Sequence, residues 1–164
     1  MVFQKTVELL SGDRVITFHD VSDAVKSTVS ESGVKVGTVT VSTSHTTCSI
    51  STQELAFDMS VSGLETLQQD FVEALQKILP DCTRERIYLH PGPKAIEFAE
   101  KYGEDLRGCH NTDAHLRSQV IGRSETIAIV DGVVDLGTFG HVYLIDFDTT
   151  RQRKRRVRIT VIGE

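Results

Sequence analysis

A chain of 164 residues, 39% of them hydrophobic, is long enough to fold as a single domain (1–164) around an apolar core without disulfide or metal staples. Its three cysteines, Cys48, Cys82 and Cys109, form no Cys-x-x-Cys pair, which argues against a disulfide framework or zinc knuckle and for reduced thiols in a cytoplasmic protein. The formal net charge of −5 is uneven: residues 151–164 hold six Lys/Arg and one acid, leaving −10 on the first 150. That balance suggests a phosphate-binding edge or an interface, not bulk nucleic-acid binding.

The opening Met1-Val2-Phe3-Gln4-Lys5 makes no apolar run of signal-peptide length, and no stretch reaches the roughly 18 apolar residues of a membrane span, so no membrane partner is expected. Residues 2–10 and 14–19 read as strands, and Ser11-Gly12-Asp13 between them predicts a hairpin. Asp20 is placed to cap a helix to about Ser30, with Val21, Val25 and Val29 as its apolar stripe and Gly33 as its stop. Residues 34–43 form a strand whose phase changes at Gly37, the mark of a bulge or bend. Continuing the Val39/Val41 alternation puts His45 on the buried face. A strand from Cys48 to Gln53 follows and ends at Glu54. The clearest helix spans 61–79: Leu64, Leu67, Phe71, Leu75 and Ile78 recur at helical spacing, Ser62-x-x-Glu65 predicts a capping box, and Pro80 blocks continuation.

Residues 86–90 read as a short strand ending at His90 and stopped by Pro91-Gly92-Pro93; Lys94 to Tyr102 has helical composition, with Gly103 as its end. Asn111 is a good N-cap for a helix to about Ile121, Asp113 lies in its first turn where the dipole favours an anion, and His115 lies where a neutral imidazole is favoured. Residues 125–130 and 133–136 flank Asp131-Gly132, a strong hairpin signal. Residues 139–147 are apolar on both faces, Tyr143, Ile145 and Phe147 against Val142 and Leu144, which marks a central strand. Residues 156–162 turn Val157, Ile159 and Val161 inward. Four neighbouring strands with tight turns predict an antiparallel meander. The expected class is α+β: mainly antiparallel, sandwich-like β-sheets with a few helices packed on them.

Three histidines, His45, His90 and His115, fall at element ends that can converge at one rim of a sheet, and three imidazoles with an open fourth position make a catalytic zinc-type site. The alternative is one buried, hydrogen-bonded histidine and two on the surface. The run Arg151-Gln152-Arg153-Lys154-Arg155-Arg156 offers guanidinium forks for phosphate, or equally an edge strand protected by charge. Gly137-Thr138-Phe139-Gly140 allows close approach of a ligand, or forms a bulge.

These pieces together resemble the YjbQ family, often labelled secondary thiamine-phosphate synthase. The matching residues are His45-Thr46-Thr47, Gln53-Glu54, Tyr88-x-His90, Asn111-x-Asp113-Ala114-His115-Leu116, Gly122-Arg123-Ser124, Leu136-Gly137-Thr138-Phe139, Arg155-Arg156 and Gly163-Glu164. Two departures stand out: a longer segment between His90 and Asn111, and Phe139-Gly140-His141 where the family has an aromatic and then Gln, so that His141 is the candidate replacement. The resemblance implies a compact α+β homotrimer with a weak thiamine-phosphate-forming activity, joining a hydroxymethylpyrimidine diphosphate to a thiazole phosphate. It places a divalent metal, zinc or magnesium, on His45, His90 and His115. Catalytic roles are expected for His45, Glu54, Asp113 and His115, and phosphate or cofactor contacts for Thr138, Arg155 and Arg156. The rivals are a metal-dependent hydrolase of a small phosphorylated or amide substrate and a non-catalytic trimer that binds a small anion or metabolite.

Overall fold

The structure, a computed structural model, describes residues 1–82 and 87–164. Two antiparallel sheets carry it. The larger has the order β1 (Val2–Leu10), β8 (Lys154–Gly163), β3 (Gly37–Ser42), β5 (Ser124–Val130), β6 (Val133–Val134); the smaller has β2 (Thr17–Asp20), β7 (Gly140–Asp146), β4 (Cys48–Glu54). The described residues also form four α-helices, α1 (Ser22–Ser32), α2 (Thr66–Ile78), α3 (Pro93–Lys101) and α4 (Thr112–Ile121), of which α1, α2 and α4 pack on the sheets. The α+β class with antiparallel sheets is as expected.

The strand partners differ from the expectation at both ends of the chain. Residues 2–10 and 17–20 are strands but not a hairpin, because β1 lies along β8 over nine residue pairs while β2 joins β7 in the other sheet. Ser11 is drawn to the strand edge instead of into a turn: its N–H donates to the Arg153 carbonyl and its hydroxyl accepts from the Arg153 N–H, each at 2.9 Å. The meander is also absent. Among the described residues only β5 and β6 pair consecutively, through Asp131 and Gly132 at φ 51° and 81°, as the Asp-Gly signal required. Strand β7 is apolar on both faces and has to be covered from both sides, whereas β8 alternates and lies between β1 and β3 in the larger sheet.

One core fills the space between the sheets. The stripe Val21, Val25 and Val29 brings α1 against Val39, Val41, Ile159 and Val161 of the large sheet and against Val142 and Leu144 of β7. A second core lies on the other side of β7, where Tyr143, Ile145 and Phe147 meet Leu75 of α2 and Ala114 of α4. Gly37 marks a close approach, since a Cβ there would sit 2.2 Å from the Ile162 carbonyl oxygen. Helix α2 begins at Thr66, later than expected, because the capping box closes between Glu65 and Gln68 and leaves Ser62 to donate to Gln69. Its Leu67 and Ile78 stay exposed while Val72 and Leu75 are buried. Residues 87–89 are bends, not the end of a strand; Arg86 lies outside the described residues. Among the described residues no helix is long and apolar enough to cross a membrane.

Candidate functional site

Strand β3 ends at Ser42, where the Thr43 N–H donates to the Arg123 carbonyl and the chain leaves the sheet. His45 is therefore half-buried beside the sheet and not on its inner face. The chain re-enters at β4, and α4 packs against that strand with Ser118 Oγ donating to the Cys48 carbonyl at 2.6 Å. This brings His115, in the first turn of α4, over Thr46, and His90, just before α3, over Thr112. The result is a cavity of about 370 Å³ whose walls include His45, Thr47, His90, Asn111, His115, Arg153 and Arg155. The three histidines singled out in the sequence share it.

Hydrogen bonding fixes which nitrogen each ring offers. Thr112 Oγ1 donates to the His90 carbonyl at 2.7 Å, so its contact with His90 Nδ1 at 2.9 Å makes that nitrogen the donor. His115 Nδ1 lies 3.2 Å from the Thr46 carbonyl oxygen, which only accepts, so it too carries hydrogen. In the neutral rings both Nε2 atoms are bare lone pairs, and the ring centroids are 5.7 Å apart. His45 is different. Its Nε2 accepts the Arg156 backbone N–H at 3.0 Å, which leaves hydrogen on Nδ1. Among the described residues no three His, Cys, Asp or Glu side chains converge on a common ion position. The donors thus fit two imidazole ligands, His90 and His115, and not the expected set of three; imidazole suits zinc better than magnesium.

Burial lowers the pKa of His45 and of His90 below the ordinary value near 6.5, with the Arg155 charge adding at His45 and the neighbouring His115 adding at His90. A depressed histidine pKa means that the neutral form is favoured by folding above 6.5, and that this contribution is lost as pH falls through the folded pKa. Ring-proton titration by NMR is expected to give midpoints below 6.5 for both residues; a midpoint above it for either would contradict the packing described.

The arginine run divides by strand alternation. Arg155 is 3% exposed and forks onto Asp146, with Nε to Oδ2 at 2.6 Å and NH2 to Oδ1 at 3.0 Å, while its NH2 also reaches Thr47 Oγ1 at 3.2 Å. Arg156, one residue on, faces the opposite side, where it pairs with Glu8 at 3.0 Å in solvent. Arg156 does not line the pocket and reaches it only through the backbone N–H it gives to His45. Arg153 shares the face of Arg155 and lies 3.4 Å from the buried carboxylate of Asp148; its Nε has no hydrogen-bond partner among the described residues. Its terminal NH1 and NH2 groups make no hydrogen bond among the described residues, so Arg153 is the pocket cation with donor capacity to spare. The basic run includes Arg153, although the residues that carry the family resemblance are its closing Arg155-Arg156 pair. Cys109, just ahead of His110 and Asn111 in sequence, also lines the cavity, whereas its neighbour His110 lines a cavity on the far side of α4.

Asn111 stands at the N-cap of α4 but makes no side-chain cap; its Nδ2 instead reaches Asp148 Oδ2 at 3.3 Å, which ties the helix start to the buried acids. Asp113 faces away from the histidines. It is buried against Arg117 at 3.3 Å and lines a different cavity, and burial raises its pKa. Glu54 and Thr138 are exposed at the other end of the small sheet, where Glu54 pairs with Gly140. From Cys48 to Glu54 the strand runs roughly 20 Å. Within one chain, Glu54, Asp113 and Thr138 therefore do not join the histidine pocket. His141 lies at that far end as well, with Nδ1 2.7 Å from Asp20 Oδ2.

Together these features define a small antiparallel α+β domain with a histidine- and arginine-lined cavity at the rim between its sheets. Residues 6–164 match the YjbQ family, described as UPF0047 protein YjbQ-like, and the chain belongs to that family. A UPF0047 protein of Methanocaldococcus jannaschii is 31% identical over 140 residues, covering 85% of this chain and 82% of its own. Another from Methanothermobacter thermautotrophicus is 25% identical over 155 residues, covering 94% and 89%. Among solved structures, a YjbQ/UPF0047 protein of Clostridium acetobutylicum superposes with a TM-score of 0.72 at 26% identity, covering 96% of this chain and 99% of that one. A YbjQ-like protein of Sulfolobus solfataricus shares the fold, with a TM-score of 0.74 at 18% identity and coverage of 100% and 99%.

Proposed function

We propose that the histidine pocket binds a small phosphorylated substrate and that the protein acts there as a transferase of the thiamine-phosphate synthase type, joining a hydroxymethylpyrimidine diphosphate to a thiazole phosphate and releasing pyrophosphate. The observation that supports this most is the meeting of two imidazoles with bare Nε2 atoms and the Arg153 guanidinium in one cavity. Arg153 offers charge-assisted donors to phosphate oxygens. His45 presents Nδ1–H as a further donor, held in that tautomer by the β8 backbone. His90 and His115 accept hydrogen bonds from substrate, or hold a divalent ion that would neutralise charge on a diphosphate.

The test is incubation of the untagged protein, of measured metal content, with both phosphorylated substrates and mass-spectrometric detection of product and pyrophosphate. Product that disappears in His115→Ala supports the proposal; phosphate binding without any product leaves a non-catalytic anion binder and overturns the enzymatic part. Arg153→Ala is expected to weaken phosphate binding several-fold in calorimetry, since a hydrogen bond to a charged group is worth about 1.5–3 kcal/mol. Unchanged affinity would assign Arg153 to the ion-pair network alone.

The protein is proposed to work as a homotrimer. Phe57, Met59, Val61 and Phe139 are exposed near Glu54 and Thr138, with the two phenylalanine rings 6.3 Å apart, and such an apolar cluster marks a contact surface. Light scattering is expected to give about three times the chain mass; a clean monomer at micromolar concentration would count against it.

A further inference from the structure

Strand β6 pairs only with Ile129 and Val130 at the end of β5. Along the rest of that edge, from Ser124 to Ile127, no strand lies beside β5 among the described residues, and a cavity of about 420 Å³ runs there instead. Its far wall is Thr52 and Gln53 of β4, the outer strand of the small sheet. We infer that this groove binds an extended peptide segment carrying a lysine or arginine, which continues the line of β6 and pairs with β5 through main-chain hydrogen bonds.

Main-chain groups are open on both walls. In the hairpin the Asp135 N–H donates to the Ala128 carbonyl at 2.9 Å, so Ser124, Thr126 and Ala128, which share one phase, turn their N–H and C=O groups to this edge. The other edge agrees: Thr40 and Thr126 face each other there with hydroxyls 3.0 Å apart, the close approach of a pair that exchanges no main-chain bonds. On the β4 side the Ile50 N–H leaves its sheet for the Gly122 carbonyl at 3.3 Å, and Thr52, in phase with Ile50, directs its N–H the same way.

Charge selects the side chain. Glu125 shares the inward phase of Ile127 and Ile129 and is half-buried in the groove. Neither it nor Asp135, the other acid of the lining, has an ion pair or side-chain hydrogen bond among the described residues, and no Lys, Arg or His lines the cavity. A peptide residue opposite Glu125 projects to the same face of the sheet, so its side chain enters the cavity beside that carboxylate. A cation there supplies the missing partner, whereas an acid would set like charges against each other. The peptide residues on either side, opposite Ser124 and Thr126, face outward to solvent.

This site does not depend on the reaction proposed for the histidine pocket. The experiment is titration of the full-length protein with the blocked pentapeptide acetyl-Val-Thr-Lys-Thr-Val-amide, following the backbone amides of Ser124, Thr126 and Thr52 and the ring resonances of His115. The expected result is saturable shifts and slowed amide exchange at Ser124 and Thr126, with His115 unmoved. Affinity should fall about tenfold or more when the peptide lysine is replaced by glutamate, and likewise for Glu125→Gln. N-methylation of the two peptide threonines, which removes the donors facing β5, should abolish binding. The peptide variants leave the protein untouched, so neither comparison depends on a variant that folds. Absence of saturable shifts, equal binding of the glutamate peptide, or binding that survives N-methylation would each overturn the assignment and leave Glu125 as an inward charge that guards an edge. Protection of Ser124 and Thr126 that rises with protein concentration in the absence of peptide would overturn it in favour of a second copy of the chain.

Discussion

Arg155→Ala is expected to destabilise the protein by about 3–5 kcal/mol, because it strands buried acids without their cation. Asp146 is 0% exposed and Asp148 1% exposed; Arg155 forks onto the first and lies 3.7 Å from the second. The cost is therefore that of uncompensated charge at the junction of the two sheets, not of a lost surface contact. Arg156→Ala is the comparison. Its pair with Glu8 is largely exposed on both sides, so its removal is expected to cost under about 1 kcal/mol. Urea denaturation of both variants measures the difference. Equal effects would mean that Arg155 is solvated and free for ligand. A large loss for Arg155→Ala would also explain any fall in phosphate affinity as a loss of the pocket's frame, which is why Arg153 is the cleaner probe of binding.

If the histidine pocket works as proposed, His115→Ala is expected to abolish turnover of phosphorylated substrates and stoichiometric zinc while leaving the fold nearly intact. The residue is half-buried in the first turn of α4 and its single side-chain bond, to the Thr46 carbonyl, is worth about 1 kcal/mol. Metal analysis and circular dichroism on the same preparation separate the outcomes. Loss of the fold with zinc retained in what survives would make His115 a packing residue and remove the site's centre. Retained turnover would move the chemistry out of this cavity.

Local signals in the sequence were legible where one residue type has one conformational use. Asp131-Gly132 gave its hairpin, Gly33 ended α1 in the left-handed region at φ 73°, and the valines at every fourth position put α1 on the core. The two-faced apolar pattern of residues 139–147 announced the central strand of the small sheet. Which strand joins which sheet was not legible, since Ser11-Gly12-Asp13 can turn a hairpin or cross between sheets with the same residues. The decision lies in the long edge that β8 offers to β1, far away in sequence. The site divided in the same way. His45, His90 and His115 were visible as polar residues at element ends, and they share a cavity. That His45 gives its Nε2 to Arg156 depends on the register of β8 beside β3, where Ser42 faces Arg158, and no local pattern encodes it. Asp113 and His115, two positions apart on one helix, were read together; helix geometry sends them to opposite walls of α4.

Strand β7 is hydrogen-bonded on both edges and packed on both faces, and Asp146 is its last residue. Such a strand separates from its neighbours only when the whole molecule comes apart, while edges such as β6 open locally. The acids that hold Arg155, Arg153 and Asn111 in place are rooted at the end of that strand, with Asp148 bonded back to Asp146 through its backbone N–H at 3.0 Å. The pocket's charged wall therefore inherits the rigidity of the least exchangeable part of the protein. A ligand entering there meets groups that are already in position, and little of its binding energy goes into ordering them.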